Sequence, residues 1–333
     1  MRAVLCKTLG SPDDLVIEEL ADPVPAPDEV VVGVRACGIN FPDLLMVAGK
    51  YQAKPPLPFS PGGEFSGVVE TVGTAVVGVV VGDRVCGNSG SGAFREKLAV
   101  CASELTTVPD NVDLTVAASF LITYGTSLYA LRERANLRSG QSLLVLGAGG
   151  GVGLAAVELG VAQGARVVAA ASSDEKLVAA KRAGAHELLK YPAELSDRTQ
   201  QKEFSALLKE RAGADGFDVI YDPVGGGYSE PALRAIGWQG RYLVVGFAAG
   251  QIPSVPLNLA LLKGCQIVGV MWGGAWQHDP DIKRSIHTEL MQMLAAGIIH
   301  PEVGAVLPLE RAAEALRMLA ERRVVGKLVL STT

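Results

Sequence analysis

The sequence predicts an α/β protein in two parts: a β-rich partial barrel and, inserted into it, a doubly wound parallel sheet of six strands. Three observations carry this. An apolar run, Leu143-Leu144-Val145-Leu146, feeds the glycine cluster that ends at Gly153, and a helical stretch of small and apolar residues follows. From there to residue 270, strand-like apolar runs alternate with helical ones, the pattern of a parallel sheet with crossover helices. Before residue 120 the texture differs, with short β-branched segments separated by Gly, Pro and Asp turns.

Taken in order, Ala3–Lys7 and Leu15–Leu20 are expected as strands across the turn Gly10-Ser11-Pro12-Asp13. Glu29–Ala36 is a strongly β-branched strand. A break at Cys37-Gly38-Ile39-Asn40 leads into a short helix through Val47, and residues 50–61 form a proline-rich loop carrying Tyr51. Gly67–Val72, Val76–Val81 and Ala93–Val100 read as further strands, and Leu114–Arg134 as helical with an interruption near Thr123-Tyr124-Gly125. The parallel strands are expected at 143–146, 166–171, 187–190, 217–221, 241–245 and 266–270, with helices at 152–163, 174–183, 198–212, 228–236 and 256–263. Helices over Lys283–Ala296 and Leu309–Glu321 and a closing strand Gly326–Leu330 return the chain to its first part. The β-rich domain is thus residues 1–122 with 271–333, and the dinucleotide-binding domain is 123–270.

The turn after Leu146 sets the chemistry. Strand, glycine turn and helix together let a pyrophosphate approach backbone amides at a helix N-terminus. The three fingerprint positions of G-x-G-x-x-G read Ala148, Gly150 and Gly153, so the first glycine is replaced. An acid at the tip of the second strand would bond a ribose 2′-hydroxyl. Here the strand ends Ala170-Ala171-Ser172-Ser173, and Asp174 and Glu175 read as helix-starting residues. Ser172, Ser173 and Lys176 suit a 2′-phosphate better, which points to NADPH.

Composition narrows the function further. Net charge is −5 without a run of like charges, which argues against a nucleic-acid surface. No apolar stretch is long enough to span a bilayer, and the first residues lack an apolar signal core. The five cysteines are scattered and odd in number, as in a reduced, cytoplasmic protein. His186, His278, His287 and His300 show no ligand spacing with each other or with cysteine, so no metal site is expected. Hydride transfer asks the protein for orientation and a polar grip on the developing oxyanion. Asn40, Asp43, Tyr51 and Thr126 are the candidates on loops. Asn40 reads equally as an amide donor or a local turn-maker, and Tyr51 as a donor, a stacking ring or an aromatic packed on prolines.

The chain resembles the medium-chain dehydrogenase/reductase superfamily, and within it the zinc-free NADPH:quinone oxidoreductases related to zeta-crystallin. The resemblance rests on Cys37-Gly38-Ile39-Asn40-Phe41-Pro42-Asp43, on Pro58 through Gly67, on Ala148-Gly149-Gly150-Gly151-Val152-Gly153, and on Lys176 with Gly184-Ala185. Tyr221 through Gly226 and Gly326-Lys327-Leu328-Val329-Leu330 also match. It implies a GroES-like β-rich domain beside the Rossmann domain. Zinc-dependent members carry a cysteine near Asn40 and a histidine at the place of Gly63; both are missing here, which implies a zinc-independent enzyme.

By this resemblance the 2′-phosphate of NADPH is held by Lys176, Tyr191 and Arg322, with Arg323 as an alternative to Arg322. The rest of the cofactor lies along Ala148, Gly150, Gly151, Val152, Gly153 and Ser172. Its nicotinamide side involves Thr126, Asp222 or its neighbouring loop, and Gly246-Phe247. Asn40 and Tyr51 match the family's substrate-side residues. The strand Gln266–Val270 is the expected edge of a homodimer, and an apolar edge strand does need covering. The implied activity is NADPH-dependent reduction of quinones or related conjugated carbonyls. The alternatives are an enoyl-thioester or enone reductase, and a non-catalytic NADPH-binding protein of crystallin- or RNA-binding type.

Overall fold

A computed structural model describes residues 1–195 and 197–332. The chain forms two compact units: Met1–Ile122 with His287–Gly297 and Pro301–Thr333, and Thr123–Ile286 with Ile298–His300. Residues 271–286 therefore group with the second unit rather than with the β-rich one. The local reason is Trp272, which lies against Gly125 and packs on Tyr129 with ring centroids 5.4 Å apart.

The strands in chain order are β1 Arg2–Leu5, β2 Val16–Glu19, β3 Glu29–Ile39, β4 Glu64–Val72, β5 Arg84–Asn88, β6 Lys97–Cys101 and β7 Leu105–Thr107. The second unit adds β8 Ser142–Val145, β9 Arg166–Ala171, β10 Glu187–Lys190, β11 Phe217–Asp222, β12 Ile236–Val244 and β13 Gln266–Gly269. β14 Val303–Pro308 and β15 Lys327–Ser331 belong to the first unit.

In the first unit a seven-stranded sheet runs β14-β15-β3-β4-β5-β7, with β6 also on β3, and β1 pairs with β2 apart from it. β3 is the axis of this sheet. Its valine-rich sequence is buried at nine of eleven positions, because both edges are paired. β4 takes one edge along Val30–Gly38, while β6 and β15 share the other, at Glu29–Gly33 and Ala36–Ile39. The core between strands is built from Val30, Val32, Val34, Phe65, Phe94 and Leu316. Gly38 is required where β3 passes under the main chain at Ala118: a β-carbon there would fall 2.2 Å from the Ala118 carbonyl oxygen.

The run Val76–Val81, expected as a strand, is not one. Gly78 and Gly82 turn through positive φ, Asp83 accepts from the Val80 amide at 2.8 Å, and Val77, Val80 and Val81 are exposed. Its valines lack the polar alternation of a half-buried strand. The helical interruption falls at residues 118–120, between Leu114–Ala117 and Leu121–Leu128, not at Thr123–Gly125.

The second unit holds the six-stranded parallel sheet, in the order β10-β9-β8-β11-β12-β13. β8 is buried throughout and β9 nearly so, as strands covered on both faces require. The expected helix 228–236 stops at Leu233, and β12 begins at Ile236, five residues early. Gly237, Gly240 and Gln239 at φ 58° bend the chain into the sheet there. Helix Trp272–His278 and β14 have no counterpart in the sequence reading.

After β8 the chain makes the glycine turn. Gly147 takes φ +61°, Ala148 donates to the Ala170 carbonyl at 3.0 Å, and the helix Gly151–Ala162 starts from Gly150. The left-handed residue is thus Gly147, one before the first fingerprint position. A β-carbon on Gly153 would lie 2.2 Å from the Gly147 carbonyl oxygen, whereas one on Gly150 meets nothing closer than 3.7 Å. Gly153→Ala is therefore expected to cost about 1–3 kcal/mol of stability, and Gly150→Ala to be nearly neutral. Urea unfolding of the two variants side by side checks this; equal losses would contradict the geometry.

Candidate active site

Two groups of residues carry the chemistry, one in each unit. In the parallel-sheet unit the turn 147–153 ends in a twelve-residue helix whose first amides lack intrahelical acceptors. Lys176 is brought against it: a β-carbon on Gly149 would sit 2.3 Å from the Lys176 β-carbon. Ser173 caps the helix Asp174–Arg182 by accepting from the Lys176 amide at 3.4 Å, and Ser172 precedes it, half-buried. Tyr191 follows β10 with its ring in the core against Phe204 and Tyr228, while its hydroxyl accepts from the Gly147 amide at 3.2 Å. The structure thus assembles the turn, Lys176 and Tyr191 in one place.

Thr126 lies on the helix Leu121–Leu128, beside Ser127. Ser127 donates to the Val152 carbonyl at 3.0 Å and bonds the Tyr221 hydroxyl at 2.9 Å, which locks this helix to the first turn of the glycine helix. Burial raises the Tyr221 hydroxyl above its ordinary pKa, so it stays protonated. Gly246 and Phe247 follow β12, and their loop is zipped to the loop after β11: Ala248 and Ala249 donate to the carbonyls of Pro223 and Val224.

Of Asp222 and its neighbouring loop, Asp222 is the part turned inward. It is 3% exposed, and its carboxylate accepts from the Val224 and Gly225 amides at 2.8 and 2.9 Å, from Ser229 Oγ at 2.7 Å and from the Tyr242 hydroxyl. All its acceptor capacity is spent inside the protein, so its role is to hold the loop 223–225. Arg322 stands in the other unit at φ 54°, in the exposed turn after the helix Ala312–Ala320, and Arg323 there pairs with Glu321.

In the β-rich unit a buried polar cluster closes the end of β3. Asn40 caps the helix Phe41–Val47, with its amide N–H donating to Asp43 Oδ2 at 2.8 Å. Its side chain points inward. Nδ2 donates to Glu64 Oε2 at 2.9 Å and lies 3.4 Å from the Gly38 carbonyl, and Oδ1 accepts from Lys327 Nζ at 2.6 Å. The free amide donor read from the sequence is therefore embedded in an internal network. Lys327 also donates to the Ile39 carbonyl at 2.8 Å and to Glu64 Oε2 at 3.2 Å, and Glu64 Oε1 accepts from the Ile122 amide at 3.0 Å. Glu64 and Lys327 were not singled out from the sequence. The available signals were an acid directly after Gly62-Gly63 and a lysine opening an apolar strand.

Tyr51 is half-buried and packs against the core of this unit. Burial, and then the charge of Asp43, raise its pKa, which keeps the phenol a proton donor. Asp43 is 1% exposed. Burial pushes its carboxyl up to about 7, against the pull of the Asn40 and Gly62 amides and Lys327, with Glu64 adding to the rise.

That shift has a consequence for stability. The folded protein holds the Asp43 proton more tightly than the unfolded chain, whose carboxyl titrates near 4. Stability is therefore lost as pH rises from about 4 to about 7. Asp43→Asn abolishes this loss, and its unfolding free energy should gain on the wild type by at most about 1.4 kcal/mol per pH unit across the window. Urea titrations at several pH values test this; parallel curves would show that Asp43 is ionised throughout.

Against known families, residues 26–110 match the alcohol dehydrogenase GroES-like domain and residues 151–290 the zinc-binding dehydrogenase domain. Quinone oxidoreductase-like protein 2 of Mus musculus is 40% identical over 331 residues, spanning 99% of this chain and 92% of its own. Among solved structures, a mycobacterial protein complexed with NADPH superposes with a TM-score of 0.90 at 30% identity, over 99% of this chain and 100% of that one. Escherichia coli quinone oxidoreductase complexed with NADPH gives 0.88 at 27% identity, over 99% and 100%. The chain belongs to the medium-chain dehydrogenase/reductase superfamily of oxidoreductases, in its quinone oxidoreductase-type family.

Proposed function

We propose that this chain is an NADPH-dependent, zinc-independent reductase of quinones or related conjugated carbonyls. The observation that carries the reading is the filling of the β-rich site. Where zinc-dependent relatives offer cysteine and histidine, Asn40 is bonded into the Lys327–Glu64 pair and Gly63 has no side chain. Among the described residues no group of three or more His, Cys, Asp or Glu has the arrangement of a metal site.

The cofactor end supports the same reading. The close approach of Gly153 to Gly147 leaves the helix start open to a pyrophosphate. Ser172, Lys176 and Tyr191 stand beside it with donors and a positive charge for a 2′-phosphate. The two NADPH complexes among the structural relatives agree with this. NADPH bound along the turn supplies the hydride. Thr126, Gly246 and Phe247 orient the nicotinamide end, and Asp222 keeps the adjoining loop in shape. Tyr51 or water returns a proton to the reduced acceptor.

β13 ends the parallel sheet, and among the described residues no strand pairs with its outer edge. Leu261, Leu262 and Ile267 are exposed around it. This favours a homodimer formed along that edge. The free cysteines suit a reducing compartment, and we place the protein in the cytoplasm.

The decisive assay is oxidation of NADPH and of NADH, side by side, with a flat ortho-quinone in the presence of EDTA. Turnover with NADPH that survives chelation and exceeds that with NADH is expected. Lys176→Ala should raise the KM for NADPH by about tenfold, the loss of one charge-assisted contact, and leave that for NADH unchanged. Loss of turnover under EDTA, or preference for NADH, would defeat the reading. Sedimentation of Ile267→Lys checks the dimer: it should run as a monomer where the wild type runs as a dimer.

A further inference from the structure

The buried cluster contains a lysine at the start of an apolar strand, where an apolar residue would pack. Its surroundings define what that charge does. Lys327 is 5% exposed and all three of its ammonium protons have acceptors: the Ile39 carbonyl, Asn40 Oδ1 and Glu64 Oε2. The shortest of these contacts, 2.6 Å, is to the amide oxygen of Asn40.

That contact has two effects on Asn40. It fixes which end of the amide is oxygen, because a lysine donates and does not accept. It also polarises the amide: a cation on the oxygen draws electron density from nitrogen and makes the Nδ2 hydrogens stronger donors. One of those hydrogens is committed to Glu64 at 2.9 Å. The other meets only the Gly38 carbonyl at 3.4 Å, at the long limit of a hydrogen bond. This second hydrogen is the more weakly held of the two.

We propose that Lys327 is a positioning residue for the reduction, acting through Asn40: its ammonium orients and polarises the Asn40 amide, whose loosely held hydrogen then grips the acceptor's carbonyl oxygen. This rests on the reductase reading given above. NADPH, when bound, would supply the electrons as a hydride that forms a new bond on the acceptor and would itself be left as NADP⁺. The carbonyl π pair would then move on to oxygen, where Asn40 would hold the oxyanion and a proton from Tyr51 or water would neutralise it. Glu64 balances the lysine and receives the other amide hydrogen, so the cation does not need the substrate for its own neutrality.

Lys327→Met alone would strand Glu64 without its cation, so the test uses the neutral pair Lys327→Met with Glu64→Gln. This variant should bind NADPH with unchanged affinity by fluorescence titration and lose about tenfold in kcat with the ortho-quinone. The same pair placed in an Asn40→Ala background should cost no further kcat, because Lys327 then has nothing to act through. An equal loss with and without Asn40, or no loss at all in the folded variant, overturns the proposal. If the neutral pair does not fold, Lys327→Arg decides. It should keep kcat within about threefold beside Asn40, and an equal, larger loss in both backgrounds again overturns the proposal. Wild-type protein that binds NADPH but reduces neither quinone nor enone removes the reductase reading and this inference with it, whereas active wild type with uncoupled variants removes the inference alone.

Discussion

The buried pair of Glu64 and Lys327 is the interaction on which the β-rich unit depends. It joins the start of β4 to the start of β15, and through Asn40 and the Ile39 carbonyl it ties both to the end of β3. Through Glu64 Oε1 it also holds the main chain at Ile122. Two charges removed from water at 0% and 6% side-chain exposure carry a large desolvation cost. The pair is tolerable only because nearly every remaining lone pair and proton is bonded. What it contributes is therefore less a net gain in stability than a single allowed arrangement of four chain segments, since any other packing leaves a charge unanswered.

The parallel-sheet unit depends on absence of bulk instead. Gly147, Gly149 and Gly153 each occupy a place where a β-carbon would meet neighbouring atoms at under 3 Å. The space so kept lets helix, turn and Lys176 close on one another while leaving the helix start exposed to a ligand. The loop after β11 is held by the opposite device, a buried carboxylate. Asp222 draws together two loop amides, Ser229 and Tyr242. Side chains that look catalytic by type are thus used here to fix backbone, and the groups left facing a ligand are main-chain amides, a serine and a lysine.

The fold was legible in the sequence where periodicity and local chemistry agree. The strand-turn-helix at 143–162 and the alternation behind it required no distant information, whereas the order β10-β9-β8-β11-β12-β13 comes from the structure. Val76–Val81 is β-branched like a strand, but Gly78 within it and Gly82 after it take positive φ and make the run a loop. The helix Trp272–His278 was hidden by Gly273 and Gly274, poor helix formers whose position is set by the packing of Trp272 on Tyr129. At the site, Lys176 is legible in the first turn of the helix that follows β9, whereas Tyr191, directly after β10, rests on the family resemblance. Lys327 and Glu64 are 263 residues apart, and no local pattern announces that they meet. Asn40 meets Lys327 across 287 residues, so its inward direction has no local signal either.

The charge balance of this cluster explains the behaviour of Asp43. Lys327 is one cation facing Glu64 directly, and Asp43 lies close enough to feel both. With Asp43 protonated the buried group sums to zero; with Asp43 ionised it carries an uncompensated negative charge in a place water does not reach. Burial therefore wins over the two amides that favour the carboxylate, and the proton stays on until pH approaches about 7. A neutral cluster also suits a reaction in which negative charge develops on a substrate oxygen. An ionised Asp43 would oppose that charge, while the dipole of a lysine-polarised amide favours it. The same electrostatic condition that lets the β-rich unit bury three ionisable groups is the one the proposed reduction would need beside its acceptor oxygen.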